Sequence, residues 1–375
     1  MEMKGRAGAG RGVGEGAFEA CLDALKRGEV LSREQWMVLL TGRTRERQER
    51  IAGEASELRD RVYGKRVFIR GLIEFTNYCR NDCYYCGIRR SNGRAERYRL
   101  TGEEILGCCR TGYALGFRTF VLQGGEDGYF TAERLSGIVR AIKEEFGDCA
   151  VTLSAGEMEK EDYRMLREAG ADRYLLRHET ANAAHYRKLH PPQLSLEHRI
   201  SCLESLKELG FQTGAGFMVG SPGQTVETLV DDLEFLRRFR PEMVGIGPFI
   251  PHKDTPFGGQ PSGDVGLTLY LLSLIRLMLP DVLLPATTAL GTAAAGGREA
   301  GILAGANVVM PNLSPGQVRE KYKLYDRKLC TGKEAAEGLE ELRKALKAIG
   351  YLVVVDRGDH RSGVWQRMMI KKTEW

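Results

Sequence analysis

From residue 67 onward, short runs of β-branched and apolar residues alternate with longer helical segments. The runs fall at 67–74, 119–123, 150–154, 173–177, 211–219, 243–249, 282–286 and 307–310. Helical stretches at 102–115, 132–146, 160–169, 196–209, 225–239, 267–279 and 297–304 separate them. Repeated βα units with apolar strands predict a parallel sheet covered by helices. Eight such units fit a closed (β/α)8 TIM barrel better than an open doubly wound sheet. Residues 18–62 read as N-terminal helices packed on the barrel, with Ser32 as an N-cap and Gln35 at the capping-box position. The pattern divides the chain into a Gly-rich flexible tail (1–17), these helices (18–62), the barrel (63–325) and a C-terminal extension (326–375) that carries a helix over 333–349 and a short apolar run over 351–355.

Composition narrows the class. The chain has 375 residues, 42% hydrophobic and 28% charged, a soluble globular composition large enough for one big domain or two ordinary ones. Fifty-five basic residues oppose 50 acidic ones, a mild +5, and the signs are interleaved along the chain. This gives no case for nucleic acid. The most apolar stretch, 267–279, contains Arg276 and is too short to span a bilayer. Nine cysteines without a secretory signal point to a reducing cytoplasm rather than a disulfide scaffold.

Three of those cysteines, Cys79, Cys83 and Cys86, stand in a C-x3-C-x2-C loop directly after the first apolar run. Closely spaced thiolates suit zinc or an iron–sulfur centre. Structural zinc takes four protein donors, commonly in two pairs, and no second CxxC or His-x3-5-His follows. Three thiols can hold three irons of a 4Fe–4S cluster and leave the fourth open. Polar constellations recur at the ends of the other strands, where a barrel places its active residues. Gln123-Gly124-Gly125-Glu126-Asp127 follows the second run, and its glycines allow close backbone approach to a ligand. Thr152-Leu153-Ser154 ends the third. Arg177-His178-Glu179-Thr180 ends the fourth, with Arg199 beyond it in the next helix. An Arg and a Glu at a strand mouth can take the carboxylate and ammonium of an amino acid, although a surface ion pair is the plainer reading. Thr287-Thr288, after the seventh run, suits an anionic ligand, and Tyr322 and Tyr325 could close the mouth.

The cysteine triplet, the aromatic Tyr85 before its last member and the GGE sequence at 124–126 resemble the radical S-adenosylmethionine (SAM) superfamily. The longer segments FTNYCRNDCYYCGIRR, LQGGED, ADRYLLRHETAN, GAGFMVGSPGQT, MVGIGPFIPHKDTP, PATTALGT and GANVVMPN resemble, over about residues 20–350, the HydE family of radical SAM maturases of iron-only (FeFe) hydrogenase. Biotin synthase and methylornithine synthase share the scaffold and are less similar at RHETAN and PATT. The resemblance implies a barrel of radical SAM type. It implies that Cys79, Cys83 and Cys86 ligate one 4Fe–4S cluster, and that Tyr85, Gly125, Glu126, Ser154, Glu179 and Arg199 hold SAM. It implies that Thr152, Arg177, Thr287, Thr288 and Tyr322 line a site for an iron–cysteine complex carrying CO and cyanide. No side chain is implied as acid or base, because the radical is the reagent. The implied partners are a second radical SAM enzyme, a GTPase scaffold and an electron donor, with neither nucleic acid nor membrane. Some relatives carry a second cluster on three C-terminal cysteines. Here Cys330 matches the first position and 331–341 holds no other, so no second cluster is expected.

Two other classes remain open on the residues. One is a different radical SAM enzyme of the biotin synthase and methylornithine synthase group. The other is a non-catalytic protein binding zinc at the triplet.

Overall fold

The computed structural model describes residues 14–329 and 335–362. Three helices come first, Glu15–Lys26, Arg33–Thr41 and Arg45–Tyr63. The first begins at Glu15, inside the stretch expected to be a flexible tail. Phe18 explains this, since it is wholly buried and the Arg47 guanidinium lies 4.0 Å above its ring. Ser32 caps the second helix in a full capping box with Gln35. The third helix packs along Val265–Met278.

The barrel strands are all parallel. The first is Arg66–Ile69 with Gly71–Thr76, followed by Thr119–Gly124, Ala150–Ser154 and Arg173–Leu175. Gln212–Ala215 with Met218–Val219 makes the fifth, and Met243–Val244 with Gly247–Pro248 the sixth. Every residue of Gly71–Thr76 is buried, as a strand covered on both faces requires. The seventh position, expected as a strand over 282–286, is present only as bridges from Leu283 to Met243 and from Pro285 to Val308. Pro285 has no N–H to give. The Asn307 side chain fills part of the ladder by accepting from the Leu284 N–H at 2.9 Å. Val308–Val309 then pairs with Phe68–Ile69, and Leu72 bridges Asn312, so eight positions close the ring.

Two further devices hold this ring. One hydrophobic cluster runs from Phe18 and Trp36 through the barrel helices to Leu346 and Tyr351. Leu352–Val354 adds a parallel strand outside Arg66–Phe68, and the chain then turns under the N-terminal end of the barrel. There the fully buried Arg173 donates to the Arg357 carbonyl at 2.8 Å and to Asp359 at 2.6 Å. Gln212 also donates to Asp359, at 3.0 Å. With this floor sealed, the open end is the other one, where the polar loops gather. Among the described residues no helix is long and apolar enough to cross a membrane.

Candidate metal and cofactor site at the barrel mouth

The loop that leaves Thr76 has no regular structure until Gly102, so its shape depends on other bonds. Asn77 donates to the carbonyls of Glu96 and Lys321, both at 2.8 Å, and accepts from the Tyr98 N–H at 2.8 Å. Arg97 lies beneath the loop and donates to the carbonyls of Ile88 at 2.8 Å and Arg89 at 2.6 Å. Backbone bonds tie the loop outward, from Arg80 to Glu126, Tyr84 to Leu189 and Gly87 to Leu324. Gly125 and Gly87 are needed for this fit. A Cβ on Gly125 would stand 2.2 Å from the Tyr78 carbonyl oxygen, and one on Gly87 would stand 2.1 Å from that of Lys323.

This frame presents Cys79, Cys83 and Cys86 as three half-buried free thiols. Burial raises the pKa of each, and the neighbouring thiols raise Cys83 and Cys86 further, Cys86 to about 12. The three thiols therefore lie within electrostatic reach of one another. Among the described residues no three such donors stand at the spacing of a single ion. A cubane cluster places its thiolates on three different irons, so three free thiols that are near one another but not at single-ion spacing fit a cluster better than one metal ion. Binding would displace the thiol protons.

Strand four supplies the opposite wall. Glu179 has φ +64, a region costly for a residue with a side chain. Its N–H donates to the Gly216 carbonyl at 3.0 Å and its carbonyl accepts from the Met218 N–H at 3.4 Å, so strand five holds it there. Arg177 Nη2 lies 3.0 Å from Glu179 Oε2 without the alignment of a hydrogen bond. Between them His178 is fully buried, accepts from the Gly216 N–H at 3.2 Å and points Nε2 at Asp232, 3.3 Å away.

Arg199 reaches back from helix Leu196–Glu208, where Nη1 donates to the Arg177 carbonyl at 3.3 Å and Nε pairs with Glu157 at 2.6 Å. Burial works against its charge, yet Tyr186, Glu157 and Glu126 leave its pKa well above the ordinary arginine value. Tyr85 is raised by burial first and then by the charges of Glu179 and Cys83, so it lies between the cysteine loop and strand four.

The remaining expected residues divide. The Glu126 carboxylate already has partners, accepting from Arg80 Nε and the Glu157 N–H, each at 3.0 Å. Thr152 is buried with an unpaired hydroxyl, and Ser154 pairs in register with Gln123 at the end of strand three. Thr287 caps helix Thr288–Ala293, its Oγ1 accepting from the Leu290 N–H at 3.4 Å, and the Thr288 carbonyl accepts from Thr292 at 2.9 Å. Tyr322 is buried, with Gln123 Nε2 3.3 Å from its hydroxyl. Cys330, expected as a lone thiol, lies outside the described residues.

Sequence reasoning missed three groups. Glu74 is completely buried at the end of strand one and pairs with Lys328 and Asn312. Its charge inside the apolar run VFIRGLIE was a usable signal. Glu157 and His190 had no comparable mark. Buried polar groups normally find partners. Thr152 Oγ1 and Arg177 Nε have no partner in the protein, while Arg177 Nη2, Glu179 Oε2 and Arg199 Nε are held by ion pairs without an aligned hydrogen bond. That concentration fits a polar, charged ligand seated beside the thiols.

Comparison with known proteins shows the family and the fold. The radical SAM superfamily model matches residues 73–236. The chain is 50% identical over 296 residues to the [FeFe] hydrogenase maturase subunit HydE of Thermotoga maritima, a match covering 79% of this chain and 84% of that one. It is 32% identical to the 3-methylornithine synthase of Methanosarcina barkeri, over 83% and 88% of the two chains. The crystal structure of methylornithine synthase (PylB) superposes with a TM-score of 0.78 at 30% identity, covering 89% of this chain and 97% of that one. A crystal structure of HydG, a maturase of the [FeFe]-hydrogenase, gives 0.78 at 20% identity over 96% and 81%, a likeness of fold.

Proposed function

The chain belongs to the radical SAM superfamily, on the branch of HydE, and we propose that it matures iron-only hydrogenase by acting on an iron-bound cysteine complex. The identity to HydE, 50% against 32% for methylornithine synthase, favours this reading over another member of the same scaffold. The observation that carries it is that Tyr85 of the cysteine loop lies within electrostatic reach of both Cys83 and Glu179, which brings the thiols and the Arg177–Glu179 turn to one end of the barrel.

Bound together, a 4Fe–4S cluster and SAM supply reductive cleavage of the sulfonium and a 5′-deoxyadenosyl radical. The residues of this chain do the rest. Cys79, Cys83 and Cys86 would hold the cluster. Tyr85, Glu179 and Arg199 would seat the amino-acid end of SAM, with the Gly125 backbone and Ser154 beside them. Glu126 acts through Arg80 and Glu157, holding two loops in place. Arg177, Thr152, Thr287, Thr288 and Tyr322 would orient an anionic substrate deeper in the barrel, with Arg177 offering a forked donor. The buried walls exclude water from a reactive radical. The other hydrogenase maturases would be its partners, and one cluster would suffice, since 331–341 lacks cysteine.

Complementation tests the whole reading. A host that expresses the hydrogenase but lacks its own maturase should recover hydrogen evolution with this gene and not with Cys83→Ser. Purified Cys83→Ser should keep its fold and lose both iron and SAM cleavage under dithionite. Retained cleavage would overturn the assignment.

A further inference from the structure

The charge of this protein is unevenly placed. Along the sequence between 79 and 99, Arg80, Arg89, Arg90, Arg94, Arg97 and Arg99 outnumber Asp82 and Glu96, a net +4 for that stretch in a chain whose total is +5, and Glu126, Asp127 and Asp254 come to three of them from other segments. The even balance of the whole sequence hides this local excess, and it sits on the cysteine loop.

Ion pairing does not cancel it at the surface. Arg80 pairs with Glu126, Arg94 with Asp254 and Arg99 with Asp127. In each pair the arginine side chain is open to solvent, at 66%, 78% and 36%, and its carboxylate is tucked beneath at 8%, 9% and 3%. A partner approaching the rim therefore meets guanidinium groups. Two exposed aromatics accompany them. Tyr78, next to Cys79, and Tyr129 are 37% and 47% exposed. The Arg99 guanidinium lies 4.0 Å over the Tyr78 ring and 4.9 Å over that of Tyr129, and Arg134 covers Tyr129 at 4.0 Å. Tyr and Arg are the residues enriched in binding hot spots. Asp127 grips Arg99 with two bonds at 2.7 and 2.8 Å, so the stack is rigid before any encounter. Beside Arg80, Glu133 and Asp162 in the first turns of helices Ala132–Glu145 and Lys160–Glu168, with the N-cap Glu159, line an acidic groove that borders the arginine rim on one side.

We infer that the rim formed by Tyr78, Arg80, Arg99, Tyr129 and Arg134 docks an acidic one-electron carrier protein of the flavin or iron–sulfur class. The inference rests on the radical SAM reading, which requires one electron per sulfonium cleaved. The carrier is oxidised by one electron and the cluster reduced by one, with no atom transferred. Arginines steer the acidic surface in, and the aromatics fix its orientation next to Cys79.

The test uses the full reconstituted protein and an acidic FMN flavodoxin, with association measured directly by calorimetry. Binding should weaken steeply between about 50 and 300 mM salt, and a basic cytochrome should not bind. The double variant Tyr129→Ala/Arg134→Glu should raise the Kd at least about tenfold. The same variant should release 5′-deoxyadenosine at the parent rate with dithionite, which needs no docking. An unchanged Kd, salt-insensitive binding, or no association with either the flavodoxin or an acidic ferredoxin would overturn the inference. Loss of dithionite-driven cleavage by the parent protein would instead sink the radical SAM reading.

Discussion

The Tyr85 hydroxyl donates to Nε2 of His190 across 3.2 Å, tying the residue before the third cysteine to the end of helix Ala183–Leu189. The donor assignment follows from the other ring nitrogen. Nδ1 lies 3.0 Å from the Tyr186 carbonyl, which can only accept, so Nδ1 carries the proton and Nε2 receives. The ring also stacks on Tyr186, with centroids 3.9 Å apart. A neutral histidine therefore sets the position of an aromatic at the cofactor site.

That neutrality makes stability depend on pH. Burial lowers His190 to about 3, and burial lowers His178 to about 3 as well. The unfolded chain binds these protons near pH 6.5, so it holds more protons than the native state between about 3 and 6.5. The contribution is complete above that window and shrinks as pH falls through it, by about 2 kcal/mol per histidine at pH 5. Urea midpoints of the metal-free protein should be level above pH 7 and decline below 6. His190→Gln should reduce that decline, and an identical slope in the variant would refute the cause.

Gly156 carries the seat of Glu126. It has φ +86, and a Cβ there would stand 1.9 Å from Glu126 Cγ. Gly156→Ala should cost about 2 kcal/mol or more and displace the Glu126 carboxylate from the Glu157 N–H. Thermal unfolding should show the loss, and equilibrium dialysis should show weaker SAM binding. Gly137→Ala, at a helical glycine with open space around it, should do neither.

Arg177 separates substrate from cofactor. Arg177→Ala removes a forked donor whose Nε and Nη2 have no hydrogen-bond partner in the protein. Substrate-dependent turnover should fall about 10–100-fold, the worth of one charge-assisted contact. Uncoupled SAM cleavage should stay within about twofold. Equal losses in the two assays would move Arg177 into the SAM site.

The floor of the barrel should matter to stability alone. Asp359→Ala leaves the buried Arg173 guanidinium without its carboxylate, while Thr119 and the Arg357 carbonyl still accept from it. The loss should be about 1–3 kcal/mol, moderated because Asp359 is partly solvated. Denaturant titration should register it while SAM cleavage per folded molecule stays constant. A selective loss of cleavage would show that the floor couples to the mouth.

Some of this protein could be read without coordinates. The thiol triplet is a spacing within eight residues, and the Ser32 capping box is a spacing within four. Strand and helix runs declare themselves through local periodicity, and in a barrel the ends of strands gather at one mouth. The chain order alone therefore put the cysteines, GGE, Arg177-His178-Glu179 and Thr287-Thr288 on one side.

Folding settled what depends on distance along the chain. Lys328 meets Glu74 across 254 residues and Tyr85 meets His190 across 105. The tail that meets Arg173 comes 186 residues later. The left-handed turn at Glu179 exists because strand five grips both sides of its peptide, a strain no local signal announces. The seventh strand thinned to two bridges because a proline fell where a ladder needed a donor. Burial gave His178 and His190 their neutrality, and it turned three carboxylates inward so that their arginines face out. Residue order dictates periodicity and spacing, whereas desolvation and long-range pairing arise only once the ring has closed.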